Sequence, residues 1–302
     1  MTPSSRLSSL ASPGATAEVL RRFGIRPRKR FGQHFLIRQR ALDRIVEAAD
    51  LSSGDSVLEI GAGLGTLTTA LADRAGHVIA VEVDDGLIPA LRVAVSHHPN
   101  VRIIVADILQ MDVNALFADV SGPRKVVANL PYNVASLLIV KLLETPLGLS
   151  RMALTVQREV ADRLAASPGT KDYGALSVAV QYRATVEVVD RVPATAFYPP
   201  PEVESAIVRI EVRAQPAVVV SDEPRFFAVV RAAFGQRRKT LRNALTGVGI
   251  QPAEAAEACA TAGIDPRRRG ETLSLHEFAA LSERVHRNHK PAEEGESTVS
   301  SP

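Results

Sequence analysis

Between Ser56 and Ala166 short apolar runs alternate with segments of helical period, and no other feature restricts the fold as much. Ser56-Val-Leu-Glu-Ile-Gly reads as a strand and Leu64 to Arg74 as a helix. His77 to Val83 is the next strand, with a helix from Gly86 to His97. Val101 to Asp107 and Lys125 to Asn129 are the third and fourth strands, and Ala135 to Glu144 is a helix. Arg151 to Gln157 is the fifth strand, followed by a helix from Arg158 to Ala166. Strands that are apolar on both faces and separated by helices predict a parallel sheet covered on both sides. Two later β-branched runs, Val178 to Val189 and Val203 to Val212, predict antiparallel strands at a sheet edge.

After Val212 only helical periodicity remains, in Asp222 to Phe234, Lys239 to Leu245, Ala253 to Ala262 and Ser274 to Arg287. Ser274 with Glu277 three residues on is a capping-box start. The expected organisation is an α/β domain over residues 21–213 and a smaller all-helical domain over 214–287. Residues 1–20, rich in Ser and Pro, and 288–302, poor in apolar residues, are expected to be disordered. One cysteine, Cys259, excludes an internal disulfide and a cysteine-rich metal site. No apolar run approaches the roughly 20 residues of a membrane span. A cytoplasmic monomer without metal is the expectation.

Glu59-Ile-Gly61-Ala-Gly63-Leu-Gly65 closes the first strand. Glycines there let the backbone turn and approach a ligand at the carboxyl edge of the sheet. The spacing is GxGxG and lacks the third glycine of GxGxxG, which argues against a dinucleotide and its pyrophosphate. Glu82 ends the second strand, where a carboxylate can accept from a ribose diol. Asp107 ends the third, where an acceptor can meet an adenine amino group. A glycine loop, Glu82 and Asp107 on consecutive strands point to an adenosine-containing ligand.

The fourth strand runs into Asn129-Leu130-Pro131-Tyr132. An adenine N6 is a poor nucleophile because its lone pair is delocalised into the ring. Two acceptors on the N6 hydrogens, the Asn129 side-chain oxygen and the Leu130 carbonyl, can pull the nitrogen toward tetrahedral geometry. Pro131 fixes the direction of that carbonyl, and Tyr132 can stack on the purine as flipped bases require. Such a site needs no strong base; it works by orientation and electrostatics. Further along, Phe197-Tyr-Pro-Pro-Pro-Glu-Val-Glu-Ser205 is stiffened by prolines. Phe197 is the expected opposite wall of a base sandwich with Tyr132.

The net charge is only +3, but its distribution is uneven. Arg21, Arg22, Arg26, Arg28, Lys29, Arg30, Arg38 and Arg40 fall in one acid-free stretch. Arg225, Arg231, Arg237, Arg238, Lys239 and Arg242 fall in another, and Arg267-Arg268-Arg269 form a third cluster. Clusters like these neutralise phosphates by counterion release.

Six segments in order resemble the ribosomal RNA adenine dimethyltransferase family, of the bacterial small-subunit type. They are Lys29-Arg-Phe-Gly-Gln33-His34-Phe-Leu36, the 59–65 glycine loop, Asn129 to Tyr132, Tyr173-Gly-Ala-Leu-Ser-Val, Phe197 to Ser205, and Phe234 to Leu245. The resemblance spans about Lys29 to Arg287. It implies a Rossmann-like S-adenosylmethionine-dependent methyltransferase fold with an RNA-docking helical domain. It places Gln33, His34, Leu36, Gly61, Gly63, Glu82, Asp107 and Asn129 at the cofactor. The family commonly has Asn where this chain has His34, a change that only a main-chain contact survives. The implied partner is 16S ribosomal RNA in an immature small subunit, with two adjacent adenosines of a hairpin near its 3′ end as substrate. Arg28, Lys29, Arg30, Arg237, Arg238, Lys239 and Arg242 are the expected RNA contacts. The competing readings are a large-subunit methyltransferase conferring antibiotic resistance, an NAD-dependent dehydrogenase, and a catalytically silent RNA-binding factor.

Overall fold

The computed structural model describes residues 11–236 and 238–285, without the side chain of Lys29. Contacts divide the chain into two units. One takes the chain up to Ser167 and again from Leu176 to Ala217; the other takes Pro168–Ala175 and the chain from Val218 onward.

The first unit contains α1 (Pro13–Arg22), β1 (Phe35–Leu36), α2 (Gln39–Ala49), β2 (Ser56–Ile60), α3 (Thr66–Ala72), β3 (His77–Glu82), α4 (Ile88–Ala94), β4 (Val101–Val105) and α5 (Val113–Leu116). It continues with β5 (Arg124–Asn129), α6 (Ala135–Glu144), β6 (Leu149–Gln157), α7 (Arg158–Ala165), most of α8 (Ala175–Arg183), β7 (Ala184–Val192), β8 (Phe197–Tyr198) and β9 (Ser205–Val212). Its main sheet has seven strands in the order β4-β3-β2-β5-β6-β9-β7. Neighbours from β4 to β6 run parallel, and β9 lies antiparallel between β6 and β7. This is the helix-covered parallel sheet that the alternating pattern predicts, extended by the two antiparallel strands, in the Rossmann-like arrangement that the resemblance implies. The apolar residues of β2, β3, β5 and β6 are buried on both faces. The chain winds outward from β2 to β4 and then crosses back to β5. A crevice therefore opens where the carboxyl ends of β2 and β5 diverge.

Two expectations are corrected. Residues 13–20, assigned to a disordered extension, belong to α1. The Ser12 Oγ accepts from Ala15 N at 3.3 Å and Pro13 occupies the first turn, so the Ser-Pro composition is here a helix start. Val19 and Leu20 then find an apolar site with Phe35, Leu64 and Leu87. Residues 178–183, assigned to a strand, are the end of α8. Leu176, Ser177, Val178, Val180 and Tyr182 are all buried, so the helix has no polar face to give it a legible period.

The second unit holds α9 (Glu223–Gly235), α10 (Leu241–Ala244), α11 (Pro252–Thr261) and α12 (Leu275–Ser282). The capping box forms: Glu277 N donates to Ser274 Oγ at 3.2 Å and Ser274 N to Glu277 Oε2 at 2.8 Å. The 168–175 segment has no counterpart in the sequence reading of this unit. Tyr173 anchors it, with its hydroxyl donating to Leu273 O at 2.9 Å and its ring edge-on to Phe234 at 5.8 Å. No described helix is long and apolar enough to cross a membrane.

Candidate active site

The loop after β2 turns through Gly61 and Gly63 at φ of 76° and 61°, a region in which a side chain is strained. A Cβ on Gly63 would also sit 3.5 Å from the Phe35 ring. The loop is thus shaped to keep a cradle open at the sheet edge, with β1 lying across it. β1 stays there because it pairs with β8, Phe35 opposite Tyr198 and Leu36 opposite Phe197. Two motifs far apart in sequence therefore form one small sheet.

Gln33, His34, Leu36, Gly61, Gly63, Glu82 and Asn129 line a single open cavity. Asp107 lines an adjoining open cavity that shares Phe31, Gly61, Val83 and Pro131 with the first. Asp107 is held by Leu109 N at 2.9 Å. The loop after it is tied down by Lys141, whose ammonium donates to the carbonyls of Ile108 at 3.2 Å and Leu109 at 2.6 Å. The structure thus gathers all eight residues expected at a cofactor around two connected cavities. Sequence reading missed Phe31, which walls both, and Lys141.

Both acids on the glycine-loop side are buried. Desolvation pushes the Glu59 carboxyl up to about 8; neighbouring Thr68 opposes this and Glu82 adds to it. Glu59 Oε2 has no hydrogen-bond partner among the described residues. Glu82 is also pushed up by burial, against the backbone N–H groups of Asp84 and Gly63, which donate to its two oxygens at 2.8 Å each.

Asn129 ends β5 beside this loop. Its Nδ2 donates to His34 O at 2.9 Å. Only the amide nitrogen can donate to a carbonyl, so the network fixes which end is which. The other end, Oδ1, is buried and has no partner among the described residues. Such an acceptor costs about 1–3 kcal/mol unless something meets it. It is the acceptor that an amino group entering this cavity requires. The His34 main chain carries this contact, so it does not depend on the side chain at position 34. Leu130 is buried by its side chain and its N–H donates to Thr155 O at 3.1 Å. Pro131 forms part of both cavity walls.

Beyond His34 and Tyr132 lies a third cavity, walled by Pro199, Pro200 and Pro201. The Tyr132 hydroxyl meets Ser205 Oγ at 2.5 Å, and its ring stacks on His34 at 5.4 Å and 20°. His34 Nδ1 lies 2.7 Å from Pro199 O. Phe197 corrects the expected sandwich. It is 1% exposed, packed with Leu36, Ala196 and Ile207 in the core, because pairing with Leu36 directs it inward. The ring facing Tyr132 is that of His34.

The basic residues separate into two kinds. Arg30 is exposed and stacks on Phe31 at 4.6 Å; Arg238, Lys239 and Arg242 are exposed. Arg237 lies outside the described residues, as does the Lys29 side chain. Arg28 is bound to Asp84 at 2.7 Å. The 267–269 cluster is paired internally: Arg267 with Asp265 at 3.0 Å, Arg268 with Glu277, and Arg269 with Glu271 at 4.0 Å. Each arginine there has an acid near it, the exposed Arg267 and Arg269 in solvated pairs and Arg268 in the part-buried one.

The family model for ribosomal RNA adenine dimethylase matches residues 24–287. A curated relative from Pelotomaculum thermopropionicum, ribosomal RNA small subunit methyltransferase A, is 51% identical over 284 residues, covering 91% of this chain and 96% of its own length. The protein of that name from Geobacillus thermodenitrificans is 50% identical over 281 residues, with 90% and 96% covered. Among solved structures, a dimethyladenosine transferase from Plasmodium falciparum has TM-score 0.69 at 25% identity, covering 82% of this chain and 96% of that one. The 23S rRNA methyltransferase ErmE has TM-score 0.64 at 29% identity, with 83% and 98% covered.

Proposed function

The chain belongs to the ribosomal RNA adenine dimethylase family, and from that membership we propose that it methylates the N6 of two adjacent adenosines of 16S ribosomal RNA, twice each, in an immature small subunit. S-adenosylmethionine supplies the activated methyl group. The observation that carries the reading is the Asn129 amide: its donor is tied to His34 O and its acceptor is buried and unmet, beside the glycine loop. The donor set fits the cofactor. Gly61 and Gly63 would leave room for its methionine end, Glu82 would hold the ribose, and Asp107 the adenine.

In this scheme Asn129 Oδ1 and the Leu130 carbonyl accept the two hydrogens of the target amine. They would direct its lone pair toward the methyl group that the bound cofactor would supply. Pro131 holds the carbonyl, and Tyr132 carries the purine face. Burial keeps the Tyr132 phenol raised and neutral, so it acts as a surface and not as a base. The proton shed by the methylated amine passes to water. Arg30, Arg238, Lys239 and Arg242 hold the RNA backbone, the last three from the helical unit, which docks by shape.

The large-subunit alternative is disfavoured by identity: about half the residues match small-subunit relatives, against 29% for the large-subunit enzyme. The test is transfer of labelled methyl groups to naked 16S RNA, to immature small subunits and to 23S RNA, with mapping of the products. Label at paired 16S adenosines is expected; label on 23S RNA alone would overturn the assignment. A second prediction concerns docking. Reversing charge at Arg238 and Lys239 should lower the slope of log affinity against log salt by about 2 and leave cofactor affinity unchanged. An unaltered slope in a filter-binding titration removes these residues from the RNA surface.

A further inference from the structure

We propose that Arg28, Asp84 and Gln33 form a latch that holds the N-terminal segment over the cofactor cleft. Arg28 thereby serves the cofactor and not the RNA. Asp84 sits in the loop after β3, two residues past Glu82, and its carboxylate is almost wholly buried, with the Arg28 side chain half exposed. Asp84 Oδ1 accepts from Arg28 Nη1 at 2.7 Å and from Gly86 N at 3.1 Å; Oδ2 accepts from Gln33 Nε2 at 2.7 Å. Gln33 Oε1 in turn accepts from Arg28 N at 2.7 Å. Three side chains from two distant stretches thus close a ring of hydrogen bonds.

That ring touches the cleft at both ends. Asp84 N donates to one oxygen of Glu82 while Gly63 N holds the other, so the Asp84 loop sets the rotamer of the ribose acid. On the other side, residues 28–33 lead directly into His34, whose carbonyl holds Asn129. Gln33 lines the cavity, yet its amide is engaged by the latch, which makes it a positioning residue. Arg28 also lies 3.9 Å from the exposed Asp85, a solvated pair that contributes little. Asp84 is different: removing its charged partner leaves a buried carboxylate short of a donor.

The test is calorimetric titration of S-adenosylmethionine into the full chain and its Arg28→Met, Asp84→Asn, double and Arg28→Lys variants. The parent titration alone tests the cofactor reading on which the latch rests. Each of the first two substitutions is expected to weaken binding about tenfold, with no further loss in the double variant, since both break one interaction. Arg28→Lys, which keeps the charge, should bind closer to the parent. Small-subunit RNA affinity without cofactor should be the same for Arg28→Met and parent. A melting curve beside each titration establishes that the variant is folded at the assay temperature, and the double variant, which leaves no unpaired charge at position 84, keeps the comparison open if Arg28→Met is not. Unchanged cofactor affinity in Arg28→Met, multiplying losses in the double variant, or a fall in RNA affinity alone would overturn the latch.

Discussion

Replacing Asn129 by Ala is expected to slow methyl transfer by about 10²–10³-fold, the usual effect of losing one preorganised polar group at a reacting centre. The protein should nonetheless melt near the parent temperature. The substitution removes a hydrogen bond to His34 O, which contributes about 1 kcal/mol, but it also removes the buried, unmet Oδ1, whose cost is of similar size. Stability and rate therefore separate at this position. Single-turnover transfer with saturating RNA and cofactor, beside a melting curve, measures both. A variant that transfers at the parental rate would remove Asn129 from the chemistry. Asn129→Asp should be slow as well, since a carboxylate facing the His34 carbonyl repels where the amide donates.

Glu59→Gln should stabilise the cofactor-free protein at neutral pH. The folded-state carboxyl is raised to about 8 from 4.5. Below the lower value both states are protonated and Glu59 has no pH-dependent effect. Between the two values the unfolded chain releases a proton that the folded chain keeps, so stability falls as pH rises. Above about 8 the loss levels off. Integrated to pH 7, the penalty is about 3 kcal/mol, a large fraction of a marginal total. Glutamine, which does not ionise, escapes it. Other acids act in the opposite sense at lower pH. Burial raises Asp55, but the Lys125 ammonium and the hydrogen bonds from Ser52 together outweigh this and hold it below the ordinary range. The informative quantity is therefore the difference between variant and parent. Denaturant unfolding at several values from pH 5 to 8 should show that difference growing. A gap that stays flat would mean Glu59 ionises normally and that its burial is relieved by solvent.

The sheet was legible in the sequence because its central strands, β2, β3, β5 and β6, are buried on both faces and most of its helices on one, so each writes its own period. The same logic explains the failures. α8 is buried nearly all round and reads as a strand. α1 begins with Ser and Pro, which composition alone scores as disorder. At the site, Gly61, Gly63, Glu82, Asp107 and Asn129 follow strand ends, and strands that run parallel in one sheet bring their ends together. Their roles as a set could be proposed from order alone. Phe197 could not be placed that way. Whether its ring faces the cleft or the core depends on pairing between β1 and β8, across some 160 residues of chain.

Composition and periodicity by themselves determined a parallel α/β sheet, a glycine loop at its edge and an amide at the neighbouring strand end, because local propensity and burial pattern repeat along the chain. Which side chains touch was decided only by tertiary structure. Arg28 belongs to Asp84, the 267–269 arginines to their own acids, and Tyr132 to His34. A charge or a ring in sequence carries no address. Its partner is set by the long-range packing that brings one loop against another, and that information resides in no single stretch of residues.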